Sequence, residues 1–112
     1  PIKVMSTTLD TLIKKYGVPD LLKLDVEGHE WAAIQGLSQK VPELCQEWAE
    51  ESKDQILQSI KRLKSLGFTK FGYTEFDGYL DKPTIYCDWE DLWLEQGLDP
   101  SRKERWGMIY AK

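Results

Sequence analysis

The stretch Leu21-Leu22-Lys23-Leu24-Asp25-Val26 constrains this chain more than any other. It is nearly apolar and does not alternate, a pattern that suits a strand covered on both faces and therefore a parallel sheet. Glu27-Gly28-His29-Glu30 breaks it, and Trp31, Ile34 and Leu37 follow at helical spacing in a short Ala-rich helix. Strand, glycine turn and helix make half of a βαβ unit, so the expected class is α/β. With 112 residues the chain has room for one domain or a part of one, and 41% hydrophobic residues suffice for a packed core.

The flanking segments fit that frame. Ile2 to Met5 is β-prone. Ser6-Thr7-Thr8 offers capping hydroxyls ahead of Leu9, Leu12, Ile13 and Tyr16, an amphipathic helix that Gly17 stops. Glu43 to Trp48 reads as a second strand ending in the acidic run Glu47, Glu50, Glu51. Ser52 and Gln55 have capping-box spacing. Beyond them Ile56, Leu57, Ile60, Leu63 and Leu66 stripe one helix face, with Lys53, Asp54, Gln58, Lys61, Arg62 and Lys64 on the other, and Gly67 closes the helix. Phe68 to Glu75 predicts a strand, Asp77-Gly78 a turn leading to Tyr79-Leu80, Asp88 to Glu95 a short helix, and Trp106 to Tyr110 a last strand.

Counting removes several function classes. Fifteen Lys and Arg against nineteen Asp and Glu give a net charge of -4, so no overall field draws the chain to nucleic acid or anionic membranes. No apolar run approaches the roughly 20 residues that span a bilayer. Cys45 and Cys87 form no CxxC, and free thiols in a reducing, cytoplasmic compartment are expected. A single histidine rules out multi-histidine metal sites within one chain. The closest glycines, Gly67 and Gly72, leave no GxG and no GxxxxGK, so a glycine loop that cradles a nucleotide is absent from these residues.

Thr7 to Leu37, TTLDTLIKKYGVPDLLKLDVEGHEWAAIQGL, resembles the FkbM family of S-adenosylmethionine-dependent methyltransferases, in which a leucine-Asp helix precedes a strand ending in K-I-D-V-E-G-x-E. The corresponding residues are Lys23-Leu24-Asp25-Val26-Glu27-Gly28-His29-Glu30. Glu47-Trp48-Ala49, Leu63 to Phe68 and Trp106-Gly107-Met108-Ile109 are also similar to family segments. The resemblance implies the C-terminal half of a Rossmann-like, class I methyltransferase sheet, mixed parallel with antiparallel end strands, so that residues 1–112 form a single partial domain. It also implies that the cofactor's glycine loop and ribose acid belong to sequence ahead of these residues. Only Asp25, Val26 and Glu27 then remain to touch the methyl region of S-adenosylmethionine.

Ligands of an open α/β sheet bind beyond the carboxyl ends of its strands. Asp25 and Glu27 after one strand and Glu47 after the next are expected to face one crevice. There a carboxylate or His29 can take the proton of an acceptor hydroxyl, on a saccharide or polyketide-like molecule as the resemblance implies. The same acids also suit the N-terminus of the next helix, where negative charge is favoured, and His29 reads equally as an exposed first-turn residue. Glu30 reads as a cap on a backbone N–H. Converging oxygens suit a hard cation, but one histidine and no second acidic cluster make a poor cage, and no metal is assigned. Trp89, Trp93 and Trp106 read as core aromatics ahead of a sugar platform. Lys61-Arg62-Lys64 and Arg102-Lys103-Arg105 read as solvated faces.

The leading expectation is the C-terminal portion of an O-methyltransferase, inactive as an isolated chain. The alternative is a non-catalytic interaction module that lacks the cofactor half. With no neighbour on its other side, the strand from Leu21 to Val26 is expected to be an edge and to pair across a two-fold axis in a homodimer, either directly or through Ile2 to Met5.

Overall fold

A computed structural model of the chain describes residues 2–49, 52–75, 86–88 and 106–112. Among them are three helices, α1 (Leu9–Tyr16), α2 (Glu30–Gln35) and α3 (Lys53–Ser65), and four strands, β1 (Leu21–Leu24), β2 (Glu43–Ala49), β3 (Phe71–Glu75) and β4 (Trp106–Ala111). The sheet order is β1-β2-β4-β3. β1 and β2 run parallel with Leu22 opposite Leu44 and Leu24 opposite Gln46, while β4 is antiparallel to both β2 and β3. One parallel pair and antiparallel end strands agree with part of a Rossmann-like methyltransferase sheet.

The alternation of strand side chains places Leu24, Leu44, Trp48, Ile109 and Phe71 on one face. There they pack against Ile34 and Leu37 around α2 and Ile56, Ile60 and Leu63 of α3, and all ten are buried. The other face carries Lys23, Cys45 and Tyr110 in register. Cys45 and Cys87 are not joined by a disulfide. At the start of β3, Phe71 and Cys87 exchange backbone bonds of 2.7 and 2.9 Å in an isolated antiparallel bridge. Among the described residues no helix is long and apolar enough to cross a membrane.

α1 begins where the capping hydroxyls predict, with Thr8 Oγ1 accepting from Thr11 N at 3.1 Å, and ends at Gly17, whose φ of 92° suits only glycine. It is tied to the end of α2 by Asp10 N donating to Gly36 O at 2.9 Å and Ser38 N donating to the Asp10 carboxylate at 2.8 Å. The Ser38 bonds hold the Asp10 carboxyl below its usual range. A carboxyl depressed in the folded state contributes stability above its unfolded pKa and loses it as pH falls through the folded one. Asp10→Asn should therefore lower the melting temperature at neutral pH, and the gap should close below the ordinary carboxylate range. Melts across that range would show a constant gap if the charge were irrelevant.

Several expectations are corrected. Ile2 to Met5 forms no strand; its apolar side chains are exposed, because β propensity without a hydrogen-bonding neighbour makes no sheet. The strand from Leu21 ends at Leu24, and its cover is one-sided: Leu24 is buried while Leu21 is 52% exposed. β1 is indeed the outer strand of the described sheet. Ser52 stands at the N-cap of α3 but makes no capping bond; its hydroxyl instead donates to Ala49 O at 3.4 Å. Leu57 is 37% exposed, and buried Ser59 takes a place on the inner face. Arg62 is not solvated with its neighbours: half-buried, it donates from Nη2 to Leu37 O at 2.9 Å. The expected turn at Asp77-Gly78, Tyr79-Leu80, Arg102 to Arg105 and, beyond Asp88, the helix to Glu95 with Trp89 and Trp93 lie outside the described residues.

Candidate active site

Parallel pairing brings the carboxyl ends of β1 and β2 to the same edge of the sheet. Alternation puts Asp25 and Glu47 on the face of Lys23 and Cys45, while Gln46 and Trp48 point to the helix side. The turn after β1 then folds the chain back sharply. Glu27 has φ 51° and Gly28 φ 90°, two successive residues in the left-handed region. At Glu27, which carries a Cβ, that conformation costs about 1–2 kcal/mol. Bonds at Val26 hold the turn against this cost: its N–H donates to Glu30 Oε1 at 3.0 Å, and its carbonyl accepts from His29 N at 3.3 Å and lies 3.3 Å from His29 Nδ1.

This turn swings Glu30 toward the strand ends. Asp25, Glu30 and Glu47 each place a carboxylate oxygen within 4.8 Å of the others. Burial raises the Glu47 carboxyl above its ordinary range, and Asp25, through its charge and a carboxyl–carboxyl hydrogen bond, adds to the effect ahead of Glu27 and Glu30. The charged groups that act on Glu47 are all carboxylates. A proton is thus retained more readily here than on an isolated glutamate, which is the property a general base near neutrality needs.

Beside the acids lies a pocket of about 280 Å³ between α2, α3 and the end of β2. Glu27, Glu30 and Glu47 line it, with Trp31, Gln46 and Trp48. Of the residues singled out in the sequence, Asp25 and Glu47 come together and Glu27 faces the adjoining pocket. His29 is exposed and its ring is held toward the Val26 carbonyl, outside the pocket lining. Val26 is exposed too, with both backbone polar groups engaged inside the turn. Glu30 caps a backbone N–H as expected and in addition joins the carboxylate cluster, which the sequence reading did not include. Gln46 was also missed. The signal available for it was a lone amide in the run Leu44-Cys45-Gln46, where every other side chain is apolar.

The model of the methyltransferase FkbM domain matches residues 1–80. The match covers α1, the β1 turn, α2, β2, α3 and β3, and it ends before Trp106 to Ile109, so the similarity of that segment stands outside it. No curated protein and no solved structure matches the chain.

Proposed function

The chain belongs to the FkbM methyltransferase family, and we propose that it forms the acceptor side of an S-adenosylmethionine-dependent O-methyltransferase acting on a hydroxyl of a saccharide or polyketide-like molecule. The observation that carries this reading is the convergence of Asp25 and Glu47 at the carboxyl ends of two neighbouring parallel strands, beside a pocket that Glu27 also lines. The acidic donor set suits the positive charge of a sulfonium. S-adenosylmethionine, when bound, supplies a methyl group activated by that charge.

The residues of this chain do the rest. Asp25 accepts a hydrogen bond from the acceptor hydroxyl and fixes the direction of its lone pair, which is a positioning role worth far more than its contact energy. Glu47 takes the proton as the oxygen forms its bond to the methyl carbon and the carbon–sulfur pair returns to sulfur. His29, on the same turn, is the alternative proton acceptor. Glu27 binds further hydroxyls of the acceptor in the pocket, and Asp25, Val26 and Glu27 border the methyl region.

No GxG occurs in these 112 residues, so the amino acid and ribose parts of the cofactor have no glycine loop here to hold them. The 112-residue chain is therefore expected to bind S-adenosylmethionine weakly or not at all, and a form of the protein with such a loop ahead of these residues should bind it. Calorimetric titration of both checks this. Micromolar binding by the 112-residue chain alone would refute it, and absence of binding by both would favour an interaction module. Light scattering on the same samples reads the homodimer proposed to pair through β1, and a monomer mass at high micromolar concentration rejects it.

A further inference from the structure

The geometry points to an anionic acceptor, a saccharide whose carboxylate or phosphoryl group is held by Lys61 and Arg62 in the cleft between α2 and α3, next to the pocket that the acids line. Its place in the reaction rests on the acceptor reading above; its charge follows from the cleft. An open cleft of about 520 Å³ is lined by Trp31 of α2 and by Gln58, Lys61, Arg62 and Ser65 of α3. Trp31 also lines the pocket beside Glu27, Glu30 and Glu47, so the two spaces share it as a wall. One face of α3 runs from one space to the other. Gln55 and Ser59 line the acidic pocket and Gln58, Arg62 and Ser65 the cleft, at the three- and four-residue spacing of neighbours on a helix surface. Gln55 and Arg62 are two turns apart, about 10 Å along the axis, a span that a glycoside with an anionic substituent covers.

Charge is segregated along this groove. One end carries carboxylates, which only accept when ionised, and the other carries Lys61 and Arg62, which only donate. No acid lines the cleft, and among the described residues neither cation forms an ion pair. Asp10, whose titration registers Arg62 weakly, commits its carboxylate to Ser38 N. Arg62 is held in place: its Nη2 donates to Leu37 O at 2.9 Å, which keeps the half-buried guanidinium at the cleft and lowers the ordering cost of a bound anion. Lys61 is exposed and free to close on the same group. The Gln58 amide is a further donor, whereas the Ser65 hydroxyl is engaged on Arg62 O at 2.6 Å. An oxyanion at the other end would meet Glu27, Glu30 and Glu47. The acceptor is therefore admitted in one direction, with its hydroxyl toward Asp25 and Glu47 and its anionic group toward Lys61 and Arg62. Trp31, half-buried between the two ends, offers an apolar wall for the ring that joins them.

Binding is read on the 112-residue chain without cofactor, from amide and indole NMR shifts during titration with a hexose phosphate, glucuronate or glucose. Both anionic sugars should give saturable shifts at Lys61, Arg62 and the Trp31 indole, and glucose at the same concentration should give none. The tighter of the two identifies the anionic group. Inorganic phosphate should move Lys61 and Arg62 and compete with both. Lys61→Glu, a reversal at an exposed position, should weaken the anionic sugars by about tenfold or more. Lys14→Glu on α1 changes the net charge equally and should leave binding unchanged, and thermal melts verify that each variant is folded. Absence of shifts at Lys61 and Arg62, glucose binding as tightly as the anionic sugars, wild-type affinity in folded Lys61→Glu, or an equal loss in Lys14→Glu would overturn the site. The methyl-transfer reading fails separately, when a form with a cofactor loop binds no S-adenosylmethionine while this chain still binds the anionic sugars. In a form that transfers methyl groups, Lys61→Glu should raise KM for the anionic acceptor and leave kcat nearly constant, and turnover confined to neutral sugars would overturn the acceptor assignment.

Discussion

Gly107→Ala should leave little or no folded protein. β4 lies between β2 and β3, with Gly107 opposite Trp48 on one side and Glu75 on the other. A Cβ at this position would stand 2.0 Å from the carbonyl oxygen of Thr74 and 3.1 Å from both its carbonyl carbon and Trp48 Nε1. The first of these contacts is to backbone, so no rotamer change relieves it. β3 and β4 would have to separate, and that breaks the ladder that holds the end of the sheet together. Overpacking a core costs typically 1–3 kcal/mol when side chains can yield, and a clash with a strand carbonyl belongs at or beyond the top of that range. Against a total stability of about 5–15 kcal/mol for an ordinary domain this is a large loss. The requirement at Gly107 is for space, since its φ lies outside the left-handed region. Gly36→Ala provides the comparison: its new Cβ would meet the Thr8 side chain at 3.2 Å, a contact that a small shift relieves. Soluble yield and thermal melts of the two variants decide the matter, and a wild-type melting temperature for Gly107→Ala would show that β3 and β4 are not packed as described.

The contrast between these glycines bears on what a sequence reveals. Gly17, Gly28 and Gly67 announce themselves as stops or turns, and all three have positive φ. Gly107 gives no local sign, because its reason is a neighbour more than thirty residues away in the chain. The same division runs through the fold. The seven elements among the described residues are legible from short-range patterns, since periodicity, caps and breakers act within a few residues. The insertion of β4 between β2 and β3 is a long-range pairing and leaves no such mark. Ile2 to Met5 errs in the opposite direction: a local preference is present but no strand partners it. Arg62 was assigned to solvent by its charge, yet a long stem lets its guanidinium reach the Leu37 carbonyl at the end of α2.

At the candidate site the distinction decides which acids were found. Asp25 and Glu47 follow from parallel strands ending on a common edge, a rule of topology that needs no coordinates. Glu30 follows only from the path of the turn, where Glu27 and Gly28 in the left-handed region return the chain toward the strand ends. A sequence shows that Gly28 permits such a turn. It does not show that a glutamate before it adopts the same region, nor that the first turn of α2 is consequently brought beside Glu47.

Asp25→Asn should lower kcat by about 100-fold in a form of the enzyme that transfers methyl groups, equivalent to about 2.7 kcal/mol of lost transition-state stabilisation. Asn has nearly the shape of Asp, and Asp25 is exposed, so the substitution has little to disturb in the core. What it removes is charge. An amide presents one oxygen where the carboxylate presents two, and its nitrogen donates where the acceptor hydroxyl also needs to donate, so the lone pair that attacks is no longer held in line. It also lifts the negative charge that helps to raise the Glu47 carboxyl. Glu47 should then titrate closer to an ordinary glutamate, and the acidic limb of the pH–rate profile, where the base loses its proton and activity appears, should shift to lower pH in the residual activity. A change in kcat with KM nearly constant indicates a group that acts in the transition state, whereas a rise in KM alone would confine Asp25 to binding. Wild-type turnover in a variant with an unchanged melting temperature would return Asp25 to a structural role at the start of the turn.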